Sequence, residues 1–457
     1  MTQSYDLIII GAGPGGYPLA LRCATQGMKV AIIERDNVGG TCLNWGCIPT
    51  KTLLASAKLL SHLKHASDFG LRAETIGFDW AKVQERKEQV VKRLRQGIHK
   101  LLDNANVKLF TGTGYLKPGN VVTVEGLDEE LSASRVCLAV GSVPAIPSVF
   151  PADRTSCWSS DEALNATTIP DSLLVVGGGV IGLELGQVYS EFGCRVTIVE
   201  MIDQILPGLD SATAKRLLPV FKKTGIEILT GQKVEKMQVQ SDSSVETVIS
   251  GQTRTFSRAL LAIGRRPNLK VFEKLAQPPE QIGPFLKVGT DYQTSIPGVY
   301  AIGDCIHGPM LAHKASYDAL TLSRQWAGEA LVPNYDTVPS CVYTYPEIAW
   351  VGRSEDQLKK DQVEYKVGRS QFSANGKALA MGEADGQIKT MIGTEGKILG
   401  TVMWGPETSN LIMEGTILQG LGLLGIDVAQ RVIHPHPTLA EAYLDALENG
   451  LGSGVHG

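Results

Sequence analysis

The chain has 457 residues, 43% hydrophobic and 20% charged, with a formal net charge of −4. That composition excludes a disordered chain and, with no long basic run, a nucleic-acid binder or a protein held on an anionic membrane. The length exceeds one ordinary core and predicts about three domains, and no apolar run approaches the ~20 residues of a membrane span.

The chain opens with a strand, Tyr5 to Ile10, that starts almost at the N-terminus and leaves no room for a signal peptide, so a cytoplasmic location is expected. Its run Leu7-Ile8-Ile9-Ile10 is continuous rather than alternating, as in a parallel strand buried on both faces. Gly11, Gly13 and Gly16 follow, then a helix to about Gln26 and a strand Val30 to Ile33 ending at Glu34. This is a dinucleotide-binding fingerprint. One glycine makes the turn, one admits the pyrophosphate to the backbone, and one lets helix pack on strand. The phosphates sit at the helix N-terminus, and Glu34 can accept hydrogen bonds from ribose hydroxyls. Pro18 falls in the first turns of the helix, where proline costs little.

Next comes Gly39 to Lys51, GGTCLNWGCIPTK, with Cys42 and Cys47 separated by four residues. Eight cysteines in 457 residues are too sparse for a disulfide framework. A pair directly after a nucleotide-binding unit points to redox-active thiols held against a cofactor, in a reducing compartment. Trp80 to Leu102 is highly charged, with Val83, Val90, Val91, Leu94, Ile98, Leu101 and Leu102 at near-helical spacing, and predicts an amphipathic helix. His62, His65 and His99 carry no partner pattern. Residues 107–141 alternate and carry several glycines, which predicts a β-meander, and the Pro-rich stretch Pro144 to Pro151 predicts a crossover.

The first unit then repeats. Gly11, Gly13, Gly16, Gly27, Val30 and Glu34 each recur 166 residues later, as Gly177, Gly179, Gly182, Gly193, Val196 and Glu200. The chain is therefore expected to hold two dinucleotides. A carboxylate at Glu200 would repel a 2′-phosphate and Met201 supplies no positive charge, which favours NAD over NADP. Arg265 and Arg266 read as surface or turn residues. Thr294 to Asp304 predicts a strand ending at Gly303-Asp304, the acid serving a cofactor hydroxyl or a helix N-cap. From about Thr337, strand-like runs (Cys341 to Tyr345, Lys397 to Trp404) precede helical ones (Ser409 to Leu421, Leu439 to Leu447), which predicts an α+β domain.

The last chemical stretch is Ile433 to Glu441, with His434 and His436 between prolines. Thr438 and Glu441 have capping-box spacing. Glu441 could equally orient an imidazole that handles a thiol proton, and spacing does not choose between His434 and His436. With no cysteine or further histidine nearby, no metal site is expected.

With these motifs in hand, the sequence resembles the pyridine nucleotide-disulfide oxidoreductases, a family of flavoproteins. The resemblance covers essentially the full length. It rests on GGTCLNWGCIPTK, both glycine fingerprints, AIGRRPN (Ala262 to Asn268), YAIGDC (Tyr300 to Cys305), MLAHKA (Met310 to Ala315) and HPHPTLAE (His434 to Glu441). It implies an α/β fold with two Rossmann-like dinucleotide-binding domains and a C-terminal α+β dimerisation domain. The boundaries expected are 1–147 for FAD, 148–268 for NAD, 269–337 returning to the FAD or central domain, and 338–457 for the interface.

By the same resemblance Cys42 is the interchange thiol and Cys47 the charge-transfer thiol. Lys51 sits near the flavin, paired with Glu184. Gly114, Asp304 and Ala312 complete the FAD contacts, and Gly264 touches NAD. The catalytic histidine is His436, with Glu441 as its partner, and it comes from the other subunit of a homodimer. The implied activity is oxidation of dihydrolipoyl groups, on the lipoyl-bearing carrier domain of a 2-oxoacid dehydrogenase or glycine-cleavage system. The alternatives are a glutathione- or mercuric-reductase-like enzyme and a redox-inert flavoprotein subunit. A glutathione reductase would want positive charge where Glu200-Met201 stand, and a mercuric reductase a cysteine pair after Cys341, where the chain has none. Three positions depart from the family pattern: Trp45 replaces a small aliphatic, Thr50 a serine and Pro435 an alanine.

Overall fold

The computed structural model describes residues 3–151 and 153–455. These divide into two compact units. The first is made of residues 1–52, 81–146 and 264–335, the second of 53–80, 147–263 and 336–457.

The first unit is built on a sheet whose centre is the strand Gln3–Ile10, with Leu7, Ile8 and Ile9 wholly buried. Val30–Glu34 pairs parallel on one side, followed by Lys108–Thr111. On the other side Glu130–Leu138 runs parallel to it and in turn pairs with Val299–Ala301. The predicted meander is real for Gly114–Lys117, Val121–Val124 and Glu130–Leu138, which pair antiparallel in series. Its first piece, Lys108–Thr111, instead joins the far parallel edge. Its last is a central strand as well as a meander strand, because Val136, Cys137 and Leu138 carry no polar face to turn to water.

The glycine turn leads into the helix Gly16–Thr25, with Pro18 in its first turn. The amphipathic helix spans Trp80–Asn104, burying Val91, Ile98 and Leu102. Leu94 and Leu101 are exposed, so the buried stripe is narrower than the spacing predicted.

The second unit repeats the parallel design. Its sheet runs Glu227–Leu229, Arg195–Val199, Ser172–Val176, Arg258–Leu261, Cys157–Trp158, all parallel. The helix Val180–Glu191 follows the second glycine turn. Residues 336–457 add an antiparallel sheet in the order Ser340–Val342, Glu347–Gly352, Ile398–Gly405, Gln387–Gly393, Tyr365–Gln371. Two helices, Thr408–Gly420 and Glu441–Leu451, bury Ile412, Leu418, Tyr443 and Leu447 against Val351, Ile388 and Ile392 of this sheet. The predicted strand at Cys341 stops at Val342. The helix expected from Leu439 starts at Glu441. His62 does have a partner: its Nε2 lies 3.5 Å from Glu383, beside Lys58 at 3.1 Å.

Candidate active site

Both nucleotide turns are shaped by the same constraints. Gly11 has φ +104°, and a Cβ there would strike the carbonyl of Ala139. A Cβ on Gly16 would overlap the Gly11 carbonyl. Gly13 is different, since the nearest atom to a Cβ would be Gly40 Cα at 3.7 Å. Protein packing does not demand glycine there, whereas a phosphate approaching the backbone does. The second turn repeats all three conditions. Gly177 (φ +110°) faces the Ala262 carbonyl, Gly182 faces Gly177, and Gly179 has nothing within 4 Å.

The two acids repeat as closely. Glu34 accepts from the backbone N–H of Ala12 (2.8 Å) and of Asp36 (3.0 Å). Glu200 accepts from Gly178 N–H (2.7 Å) and Ile202 N–H (3.1 Å), the same positions 166 residues on. Each carboxylate is thus fixed at the lip of its glycine turn with lone pairs left for ribose hydroxyls.

The cysteine motif is docked on the first turn. Gly39 N–H donates to Ala12 C=O at 2.8 Å, and Gly40 (φ +57°) lies so close that a Cβ would come 2.6 Å from Gly13 Cα. The Gly-Gly pair is therefore a packing requirement. Cys42 lies in the short helix Gly40–Trp45 and Cys47 opens the helix Cys47–Lys64, with both sulfurs as thiols. A hydrogen bond with Cys47 and burial push the Cys42 thiol well up, and the nearby Lys51 charge pulls it down. Tyr17 stands beside them. Burial and the Cys42 sulfur raise its hydroxyl. Between the cysteines, Asn44 Nδ2 donates to the carbonyls of Val38 and Gly40 (3.0 Å each), and its Oδ1 accepts from Arg95 at 2.8 Å. Trp45 Nε1 donates to Asp36 at 3.1 Å, and Thr50 Oγ1 to Gly46 C=O at 2.6 Å.

Asp304 sits in a short turn, Gly303–Cys305. It caps no helix. The following helix, Ala312–Trp326, begins further on, with Leu311 at its N-cap and Ala312 as its first residue. Asp304 instead accepts from Ser142 Oγ at 2.6 Å. That hydroxyl accepts from Arg265 Nε at 2.8 Å, and the same guanidinium donates to Ser142 C=O at 2.8 Å. Arg265 is therefore a structural partner of the Asp304 site rather than a surface residue. Gly114 lies between Ile10 and Ile33, where a Cβ would press to 3.1 and 3.2 Å. Gly264 has φ +115°, and its carbonyl accepts from Ala145 N–H at 3.0 Å. Glu184 is buried and accepts from Tyr343 N–H at 2.9 Å.

The two histidines are separated by their surroundings. His434 is 6% exposed, with Nε2 2.6 Å from Glu414. His436 is 80% exposed, with Nδ1 2.8 Å from Glu441 Oε1, leaving Nε2 free to face outward. The other Glu441 oxygen accepts from Thr438 N–H at 2.7 Å. That backbone bond, helped by His436 and opposed by burial, holds the Glu441 carboxyl below its ordinary range. The expected capping box does not form, because the helix begins at Glu441 with Ala440 at its N-cap; Glu441 instead holds the His436 imidazole and the Thr438 backbone together. Thr438 Oγ1 donates to Pro435 C=O instead of capping the helix.

Residues 5–319 match the pyridine nucleotide-disulphide oxidoreductase family, and residues 338–447 match its dimerisation domain. The chain belongs to this family. It is 37% identical to the dihydrolipoyl dehydrogenase of Geobacillus stearothermophilus, covering 99% of this chain and 97% of that one. With the dihydrolipoyl dehydrogenase of Thermus scotoductus it shares 40% identity, over 98% and 97%. Among solved structures, LpdA of Mycobacterium tuberculosis superposes with a TM-score of 0.89 at 26% identity, over 98% and 99%. The flavoprotein disulfide reductase RclA of Escherichia coli shares the fold at 24% identity, with a TM-score of 0.87 over 97% of this chain and 99% of that one.

In this oxidoreductase, sequence reasoning missed Tyr17, Asn44, Ser142 and the role of Arg265. Asn44 lies inside the cysteine motif and was legible as a polar residue in an otherwise apolar loop. Ser142 and Arg265 carry no local signal, being 162 and 39 positions from the acid they serve.

Proposed function

We propose that this chain is a dihydrolipoyl dehydrogenase, oxidising protein-bound dihydrolipoyl groups at the Cys42–Cys47 pair and delivering the reducing equivalents through FAD to NAD. The observation that carries the reading is the docking of the cysteine motif on the first nucleotide turn, through Gly39 N–H and the Gly40–Gly13 contact. A thiol pair built onto a phosphate-binding turn is a thiol pair built to exchange electrons with the nucleotide. Gly13 and Gly179, open where a Cβ would stand, fit a pyrophosphate in each turn.

FAD would be held by Gly11, Gly13, Gly16 and Glu34, with Lys51, Gly114, Asp304 and Ala312 at its other contacts. NAD would be held by Gly177, Gly179, Gly182 and Glu200, with Gly264; Glu184 completes the cofactor set. The domain boundaries proposed are those expected from the sequence. When bound, FAD supplies a two-electron acceptor for the thiols and NAD the final hydride acceptor.

The protein's own steps are thiol–disulfide exchange. A substrate thiolate attacks Cys42 Sγ of the oxidised pair, forming a mixed disulfide and releasing Cys47 as thiolate. The second substrate thiol attacks the substrate sulfur bound to Cys42, closing the substrate disulfide and freeing Cys42. His436 Nε2 takes the proton of the attacking thiol and returns it to the departing Cys42, while Glu441 fixes Nδ1. Cys47 lies at the N-terminus of an 18-residue helix, where negative charge is favoured.

The dimerisation domain supports a homodimer, in which His436 serves the thiol pair across the interface. Exposed Met413, Ile417, Leu421 and Ile433 are the apolar surface that fits such an interface. The partner proposed is the lipoyl carrier of a 2-oxoacid dehydrogenase or glycine-cleavage system. The cytoplasm fits a chain whose eight cysteines in 457 residues are too sparse for a disulfide framework. Cys42→Ser tests the reading: dihydrolipoamide oxidation should vanish while FAD stays bound, and a variant retaining full activity would contradict it.

A further inference from the structure

Beneath Asp304 lies a cluster that the proposed chemistry does not use. Lys314 and Asp318, one turn apart on the helix Ala312–Trp326, form an ion pair at 2.9 Å with both side chains 0% exposed. Burying such a pair costs more than a hydrophobic contact unless every remaining polar atom is matched. Here they are matched, and largely on one residue. Lys314 Nζ donates to Gly303 C=O at 3.1 Å, while Asp318 Oδ2 accepts from Gly303 N–H at 2.9 Å. The other oxygen of Asp318 accepts from Tyr335 Oη at 2.7 Å and Tyr292 Oη at 3.2 Å. Burial, followed by the Asp318 charge, raises both phenols, so they remain donors.

Two backbone features sharpen the picture. Gly303 has φ +78°, so its peptide planes are turned from the strand Val299–Ala301 directly into Asp304. Tyr292 has φ +62°, an uncommon conformation for a bulky residue, kept where its hydroxyl reaches Asp318. A strained tyrosine, a buried charge pair and a left-handed glycine all converge on the residue before the acid.

We infer that Lys314, Asp318 and Tyr335 are positioning residues for FAD, clamping both polar groups of Gly303 so that the Asp304 carboxylate is aimed at the cofactor's hydroxyls. The inference rests on the reading of Asp304 as an FAD contact. Ser142 and Arg265 fix the carboxylate from its side-chain end, and the cluster fixes it from its backbone end. The flavin-binding acid is thus held at both ends before the cofactor arrives.

The test is a double-mutant cycle on the purified full chain, reading FAD release by flavin fluorescence and folding by circular dichroism. Lys314→Met and Tyr335→Phe should each weaken FAD binding about tenfold, the size of one lost hydrogen bond to a charged group, with the fold retained. In an Asp304→Ala background neither should weaken it further, because the clamp acts only through that acid. Wild-type affinity in both variants, or losses that multiply with that of Asp304→Ala, would overturn the inference. Should Lys314→Met fail to fold, Tyr335→Phe decides by the same two criteria. A wild-type chain that binds no FAD overturns the functional reading and this inference together. FAD binding with indifferent variants overturns this inference alone.

Discussion

Eight thiols share this chain, and their surroundings sort them. Burial pushes Cys23, Cys157, Cys194 and Cys305 each up to about 12, and Cys137, packed near Cys23 and Cys305, is raised as well. The thiolate is the reactive form, so these five should resist a maleimide at neutral pH. Access decides the order, since the Cys42 thiol is raised too: the half-buried Cys42, Cys47 and Cys341 should label first in the reduced native protein, and the buried five only after unfolding. Mass spectrometry of labelled peptides checks this, and early label on Cys137 would contradict it. Residue-scale chemistry also separates the histidines. His436→Gln should cut dihydrolipoamide turnover by about 10²–10⁴, the usual contribution of a general base. His434→Gln disturbs a buried pair with Glu414 and should show mainly as lost stability in a melt.

At the scale of elements, the duplicated turns separate glycines that packing requires from glycines that packing leaves open. Gly11→Ala and Gly16→Ala force a Cβ into backbone carbonyls and should destabilise the chain or prevent folding. Gly179→Ala meets no protein atom within 4 Å. It should fold with wild-type stability and keep FAD, yet raise KM for NAD at least about tenfold; unchanged KM would show that the second turn does not hold the pyrophosphate. Another element-scale feature is Lys389, buried on the strand Gln387–Gly393. It bridges Asp210 at 2.5 Å and Glu355 at 3.0 Å. Asp210 also caps the helix Ser211–Lys223 through Thr213 N–H. Lys389→Met leaves two carboxylates facing each other and should cost about 3–5 kcal/mol in urea unfolding. Burial pushes Glu355 up, but its bonds to Lys389 and Lys359 win and hold it at about 2. A depressed acid stabilises the fold above its unfolded value of about 4.3 and loses that contribution as pH falls toward about 2. Acid unfolding of the wild type should therefore be steep across that window, and shallower in Glu355→Gln.

Across the whole molecule, what the sequence made legible was local and what it hid was distant. The glycine turns, Glu34 and Glu200 and the cysteine pair all lie within short stretches, each with its chemical reason in its own neighbours. The strand Glu130–Leu138 read as the end of a meander because its antiparallel partner is adjacent in sequence. Its parallel partner, Gln3–Ile10, is more than a hundred residues away. The Ser142–Arg265–Asp304 chain and the clamp on Gly303 were hidden for the same reason. Tyr335, Tyr292 and Gly303 meet only after a helix and two turns have closed. Glu441 read as a cap or as a partner of histidine, and it is the partner: one oxygen takes His436 and the other the Thr438 N–H, while Ala440 stands at the N-cap.

In the proposed function, one chain joins a thiol pair to two nucleotides for the oxidation of dihydrolipoyl groups. The most direct measurement is NADH formation from NAD and dihydrolipoamide by the purified full-length protein, with NADPH and oxidised glutathione run beside it. Rapid turnover in the first reaction and none in the second is the predicted result. Silence in the first with activity in the second would contradict both the substrate and the reading of Glu200 as a carboxylate selecting NAD.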